Sequence, residues 1–242
     1  MKIGAAQIQP VKGDIEQNIL QHKKWIELAA SLEVDLIIFP ELSLTGYEPS
    51  LASKLAIEST DNRLDELQNL SDQHQMVIGV GAPTKTKFAP RISMLVFQPQ
   101  QAQQTYSKQY LHADERAFFS EGGQQLILNI DGLKLAPAIC YEALMEEHAE
   151  NAVIFGARLY LTSAAKSANG VARAQEHFPA IAGQYLMPVI MANSVGPSDN
   201  FISAGTSAVW NLDGELLAQL NDTEESLLIV DTRTEEIVKK GL

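Results

Sequence analysis

The hydrophobic patterning of the chain predicts an α/β fold of four layers, an α-β-β-α sandwich, from three observations. Wholly apolar runs such as residues 35–39 (DLIIF) and 133–139 (LKLAPAI) read as strands buried on both faces. These runs alternate with amphipathic segments of helical period, the pattern of sheet covered by helix. Further strand pairs meet at the turn dipeptides Asp131-Gly132 and Asp213-Gly214. Such hairpins imply a second sheet, stacked face to face with the first and with the helices outside.

The elements follow in order. Residues 2–8 form a first strand. Asp14 and Gln17 have the spacing of a capping box, and Ile15, Ile19, Ile26, Leu28 and Ala29 fall roughly on one helical face ending at Leu32. Residues 35–39 form a short strand that Pro40 stops. A second helix spans 61–74, then strands span 76–82, 92–99 and 103–107. Residues 125–130 and 133–139 form a hairpin. A helix over 143–155 is followed by a strand over 158–162, a helix over 170–185 and a strand over 188–192. The last third reads as strands over 207–210, 215–220 and 227–230, then a terminal helix over 235–240. No repeat, low-complexity tract or long linker interrupts the pattern, so residues 1–242 are expected to form a single domain.

Charge narrows the function. Thirty acidic against 18 basic residues give a formal charge of −12, which argues against nucleic acid and anionic membranes as partners. No apolar run approaches the roughly 20 residues of a membrane span. The first residues, MKIGAAQIQP, lack the apolar centre of a signal peptide. A cytoplasmic, reducing setting is therefore expected, and it would keep a reactive thiol usable. The histidines (His22, His74, His112, His148 and His177) are scattered without metal-ligand spacing, and no glycine-rich nucleotide loop is present. Neither a metal nor an organic cofactor is expected.

Cys140 is the single cysteine, and it closes an apolar strand just before a helical segment. A thiol on such a turn can stand above a sheet with backbone N–H groups close by, as a nucleophile requires. A free cysteine is also commonly a small buried hydrophobe. Glu41 follows the strand DLIIFP and Lys108 follows QQTYS, again at strand ends. Ligand sites in layered α/β proteins gather beyond the carboxyl ends of strands. A carboxylate, an ammonium and a thiol in that place make an acyl-transfer set of base, electrophile and nucleophile.

The segments carrying these residues are FPELSLTGYEP (39–49), YSKQYLHADERAFFSEG (106–122) and APAICYEAL (136–144), with AAQIQPVKGDIEQN, MANSVG (191–196) and AGTSAVWNLDGELL (204–217) around them. Together they resemble the nitrilase superfamily of carbon–nitrogen hydrolases over nearly the whole chain, in an amidase-like form. The resemblance implies the same layered sandwich. It implies Glu41 as general base, Lys108 as oxyanion stabiliser, Cys140 as nucleophile, and Glu115 as a second glutamate orienting Lys108 or the substrate. The Tyr141 N–H would share the oxyanion. Tyr47, Phe118, Phe119, Thr162, Ser163 and Ala165 flank these segments and could line the substrate pocket, although ordinary packing also accounts for the aromatics. After the nucleophile, Leu144 stands where many relatives have arginine, and Glu146 where they have proline. The implied reaction is hydrolysis of a small linear amide through a thioester on Cys140. Nitrile or N-carbamoyl hydrolysis by the same triad is an alternative, as is a non-catalytic member that binds a metabolite or partner. The segment at 39–49 also looks like the glutaminase part of NAD synthetases, and no ATP-binding half follows it. The resemblance implies a homodimer or an assembly of dimers.

Overall fold

The computed structural model describes residues 1–58 and 60–242. The first half builds one sheet from β1 (Lys2–Gln7), α1 (Ile15–Ser31), β2 (Leu36–Ile38), the short α2 (Ala52–Leu55), α3 (Asp65–His74), β3 (Val77–Thr84), β4 (Arg91–Phe97) and β5 (Gln104–Ser107). The chain then crosses to a second sheet through β6 (Leu128–Ile130), β7 (Leu133–Ile139), α4 (Glu146–Ile154), β8 (Leu159–Ala164), α5 (Ala168–Tyr185) and β9 (Val189–Asn193). A separate hairpin, β10 (Val195–Ser198) and β11 (Phe201–Ala204), follows. Next, β12 (Ala208–Trp210) and β13 (Leu216–Gln219) extend the second sheet. Finally, β14 (Ser226–Asp231) and β15 (Ile237–Lys240) return to the first.

The first sheet has the order β15-β14-β1-β2-β3-β4-β5 and the second β13-β12-β9-β8-β7-β6. In the first, β1, β2 and β3 are parallel, and two antiparallel steps through β4 make β5 run the same way. In the second, β7, β8 and β9 are parallel. Because side chains alternate along a strand, each strand feeds two cores. Ile3, Leu36 and Ile38 meet Leu135, Ile139, Leu161 and Ile190 between the sheets. Ile37, Phe39, Ile78 and Val80 face the other way and pack with Ile19, Trp25, Ile26 and Leu67 of α1 and α3. Ala136, Ala138, Tyr160 and Met191 cover the second sheet's outer face against Ala149, Ala152, Phe178 and Ile181 of α4 and α5. Three cores between four layers are the predicted α-β-β-α sandwich. No helix among the described residues is long and apolar enough to cross a membrane.

Three local readings need correction. Residues 237–240 are strand β15, not helix: they pair with β14 as an edge, Ile229 opposite Val238, and tertiary pairing overrides local helical preference. Cys140–Leu144 is a 3₁₀ turn that separates β7 from α4, so the helix begins at Glu146. The β10–β11 hairpin was not anticipated, because Val195–Ser198 (VGPS) is too short and polar to show a strand period.

The sheets are held in register at the edge where their parallel strands end. Ser163 Oγ donates to Phe39 O across the interface at 2.8 Å. The loop after β2 is tied to α1 by a buried chain of hydrogen bonds. Gly81 N–H donates to Ser43 Oγ (3.0 Å), and Ser43 Oγ lies 2.9 Å from His22 Nε2. His22 Nδ1 lies 2.6 Å from Asn18 O, and Asn18 Nδ2 donates to Leu44 O. In this arrangement Nδ1 carries the imidazole proton and Nε2 accepts from Ser43, so His22 is neutral. Burial lowers its pKa from 6.5 to about 4, against the raising effect of the Asn18 carbonyl.

The folded state therefore resists a proton that the unfolded chain accepts below pH 6.5. Stability contributed by His22 is lost as pH falls from 6.5 to about 4. At about 1.36 kcal/mol per pH unit this amounts to about 3 kcal/mol. His22→Gln should be less stable than wild type at pH 7, and the gap should narrow by about that amount at pH 4. Urea denaturation of both proteins across this range measures it, and a constant gap would show that His22 is not held neutral.

Candidate active site

Glu41, Lys108, Glu115 and Cys140 come from three separate segments, Lys108 and Glu115 from the same one, and meet at the strand ends. Lys108 follows β5 and is fully buried, its amide donating to Ile92 O so that the strand direction persists through it. Its Nζ donates to Glu41 Oε1 and to Glu115 Oε1, each at 2.7 Å. Glu115, in a short 3₁₀ turn, also accepts from Tyr47 Oη (2.9 Å) and from the His112 N–H (2.7 Å). Glu41 Oε2 is buried and accepts no hydrogen bond, which leaves one carboxylate oxygen free for a proton. Cys140 opens the 3₁₀ turn at φ +52°, a left-handed conformation unusual for a residue other than glycine. It is half-buried, and its Sγ lies 3.9 Å from Ala165 O.

Backbone contacts fix the turns that present these groups. Gly81 in β3 lies under the Glu41 turn, where a Cβ would stand 2.3 Å from Leu42 N and 2.4 Å from Pro40 O. Gly122 packs against the Lys108 strand end, where a Cβ would stand 2.1 Å from Ser107 O. Glu142, two residues past the thiol, binds both catalytic strand ends at once. Its Oε1 accepts from Ile139 N and Tyr106 Oη, each at 2.7 Å, and its Oε2 accepts from Gln109 N at 2.6 Å. Behind it, His148 Nε2 lies 2.7 Å from Tyr106 Oη, and His148 Nδ1 is in contact with Tyr160 Oη. No arginine takes part. Leu144 lines the pocket instead, and buried hydroxyls with backbone N–H groups satisfy the carboxyl.

Electrostatics follow from burial. Burial raises the Glu41 pKa, and the Lys108 ammonium opposes that rise. Burial alone would lower the Lys108 pKa, but the Glu41 and Glu115 carboxylates outweigh it, so the ammonium stays protonated. Burial and then Glu41 push the Cys140 thiol up to about 11, while Lys166 and Lys108 draw it down. At neutral pH the proton therefore rests on sulfur, beside a carboxylate whose affinity for it is raised. Burial likewise raises Glu142 to about 7, against the hydrogen bonds from Tyr106, Gln109 and Ile139.

A pocket of about 210 Å³ opens over this cluster, at the small end for ligand sites. Tyr47, Tyr141 and Ala165 line it as the sequence suggests. Phe118 does not: it is 40% exposed and lies outside the pocket wall. Ser163 does not either, because its hydroxyl is spent on Phe39 O between the sheets. Phe119 belongs to the inter-sheet core, and Thr162 is buried outside the pocket lining. Sequence reasoning missed His112, Lys166, Ser167, Gly170, Arg173 and Phe201, which also line it. Lys166 stands three residues after Ser163, within reach of the same strand-end argument that found Cys140. The others come from loop, helix and hairpin, where no local pattern marks them.

The family model described as carbon-nitrogen hydrolase matches residues 2–239. The chain is 26% identical over 251 residues to the glutamine-dependent NAD(+) synthetase of Aquifex aeolicus, covering 100% of this chain and 44% of that protein. It thus spans less than half the length of that synthetase, and the same is true of the Acinetobacter baylyi and Thermotoga maritima synthetases it also matches. It is 25% identical over 245 residues to the Staphylococcus aureus hydrolase in the agr operon, covering 98% of this chain and 93% of that one. In fold it matches the amidase from Nesterenkonia sp. AN1, solved with acrylamide added at its active-site cysteine. The TM-score is 0.88 at 23% identity, over 96% of this chain and 92% of that one.

Gly81→Ala should displace the Glu41 turn. The expected effects are a loss of about 1–3 kcal/mol in stability and of about 100-fold in turnover. Denaturant melts and steady-state rates check both, and a stable, fully active variant would show that this contact does not hold the turn.

Proposed function

The chain belongs to the carbon–nitrogen hydrolase family, and from that premise we propose that it hydrolyses small linear amides to carboxylic acid and ammonia through a thioester on Cys140. The family makes it an enzyme of C–N bonds. The observation that carries the finer reading is the buried Lys108 ammonium, bonded at 2.7 Å to both Glu41 and Glu115 beside the thiol.

In this mechanism Glu41 takes the Cys140 proton as sulfur attacks the carbonyl carbon. A free carboxylate oxygen, raised in basicity by burial, suits that role. The thiol cannot act as a preformed thiolate with its pKa near 11, so proton transfer accompanies attack. The oxyanion forms against Lys108 Nζ and the Tyr141 N–H, where a single preorganised donor contributes about 3 kcal/mol. Glu41 passes its proton to nitrogen, the C–N bond breaks and ammonia leaves the acyl group on sulfur. Water then gives a proton to Glu41 and its oxygen to the acyl carbon. The C–S bond breaks, the acid departs and Glu41 returns the proton to Cys140. Glu115 holds the Lys108 ammonium in line, and Tyr47 and the His112 N–H hold Glu115.

Intact-protein mass spectrometry after brief mixing with small amides, with ammonia assayed in parallel, tests the reading. A mass increase equal to the acyl group is expected, absent in Cys140→Ala. Turnover of nitriles alone would replace this reading with nitrile hydrolysis, and full activity in a folded Cys140→Ala variant would end it.

The pH profile gives a second test. Glu41 must be ionised to act as base, so kcat/KM should rise with pH along a limb above about 4.3, the ordinary glutamate value. Glu41, Lys108, Glu115 and Cys140 interact closely, so the limb reports the cluster. An acid limb at the ordinary value would remove the buried carboxylate from the role of base.

A further inference from the structure

Lys166 is a buried ammonium that the proposed chemistry does not use. It is 4% exposed and lines the pocket with Cys140, and its Nζ makes one hydrogen bond, to Cys140 O at 3.2 Å. Among the described residues no carboxylate lies within 4 Å of it, although a buried ammonium ordinarily has an acidic partner. The two acids in the pocket wall are engaged elsewhere. Glu115 is bonded to Lys108, and Asp114 to the His112 ring at 2.6 Å. Arg173, in the second turn of α5, also lines the pocket and, among the described residues, forms no ion pair. α5 starts at the same wall, with Ser167 and Gly170 in the lining. No side chain caps it and no acid stands in its first turn, so its positive end is uncompensated.

The lysine is also held in place. Asn193 Oδ1 accepts from Lys166 N (2.7 Å), and Lys166 O accepts from Asn193 Nδ2 (3.2 Å) and Ala204 N (2.9 Å). Gly170 leaves room for its aliphatic stem: a Cβ there would lie 3.2 Å from Lys166 Cβ. A rigid, desolvated cation without a counter-ion inside a ligand pocket is a preformed anion site. The contrast with the rest of the molecule is sharp, because the chain carries 12 net negative charges.

We propose that the acyl half of the substrate bears a carboxylate, which Lys166 binds with help from Arg173 and the start of α5 while the amide lies at Cys140. The substrates are then monoamides of short dicarboxylic acids. This rests on the amide reading of the site and sharpens it: neutral alkyl amides fit the chemistry but leave Lys166 without its counter-ion.

Calorimetry on Cys140→Ala protein, which cannot turn substrate over, measures affinity separately from chemistry. The probes are the monoamides of succinate, glutarate and adipate, each against the neutral n-alkyl amide of the same length. One monoamide should bind roughly 10- to 100-fold tighter than its neutral partner, the range of a charge-assisted hydrogen bond. Added to that background, Lys166→Met should bring the ratio to within about threefold, as for a residual screened charge, and Lys166→Arg should restore part of it. A merely structural lysine would move both affinities and leave the ratio unchanged. Should Lys166→Met fail to fold, Arg173→Met on the exposed face of α5 must still reduce the ratio. Equal affinity for charged and neutral amides, or no binding of any monoamide, overturns the proposal and leaves amide hydrolysis standing. A clear preference for the monoamides with no acyl-enzyme or ammonia from wild type has the opposite meaning: the anion site stands and amide hydrolysis falls.

Discussion

A single ammonium buried between two carboxylates sets the terms for this structure. Removing an ion from water costs several kcal/mol, and only well-placed opposite charge and hydrogen bonds offset that cost. Lys108 has both, with Glu41 and Glu115 each at 2.7 Å. The offset works only while these segments stay in place, so the surroundings hold both their backbone and the carboxylates themselves. Tyr47 and the His112 N–H fix Glu115. Ser43, His22 and Asn18 fix the turn bearing Glu41. Ser163 joins the ends of β2 and β8.

The same economy governs the Cys140 turn. Glu142 reads out the positions of Lys108 and Cys140 together, since it binds the backbone N–H beside each one, at Gln109 and Ile139. A carboxyl that must stay buried to do this needs partners on every side, and Tyr106 with His148 supplies them. Among the described residues no arginine pairs with it, and Leu144 lines the pocket. Hydroxyls and backbone N–H groups can satisfy this carboxyl, whose pKa burial raises against their hydrogen bonds.

Around the cluster, charge is arranged asymmetrically. Two carboxylates share the single Lys108 ammonium, whereas among the described residues Lys166 and Arg173 on the α5 side have no acidic partner. One end of the pocket thus suits proton transfer, and the other suits an anion. Both ends open onto one pocket of about 210 Å³.

Much of this was legible in the sequence. Doubly buried strands must be apolar on both faces, so DLIIF and LKLAPAI announced sheet between layers, and the polar residue that ends each strand stood out against them. That is why Glu41, Lys108 and Cys140 stood out as candidates, with Glu115 added by resemblance, and the structure brings these four together. Phe118 and Ser163 were misplaced because adjacency along the chain does not say which face a side chain takes in a 3₁₀ turn or at a sheet junction. The helix expected at 235–240 became β15 because β14 offered unpaired backbone groups beside it, a partner invisible to local pattern. In sequence, Lys166 is marked only by its place just past the end of β8. Only the packing of Gly170, Asn193 and β11 around it decides that it is buried, held and unpaired. Composition and periodicity record how a segment meets water, and they determined the layers and the strand-end chemistry. Which charges face one another across the pocket depends on contacts between segments far apart in the chain, and the tertiary structure alone set those.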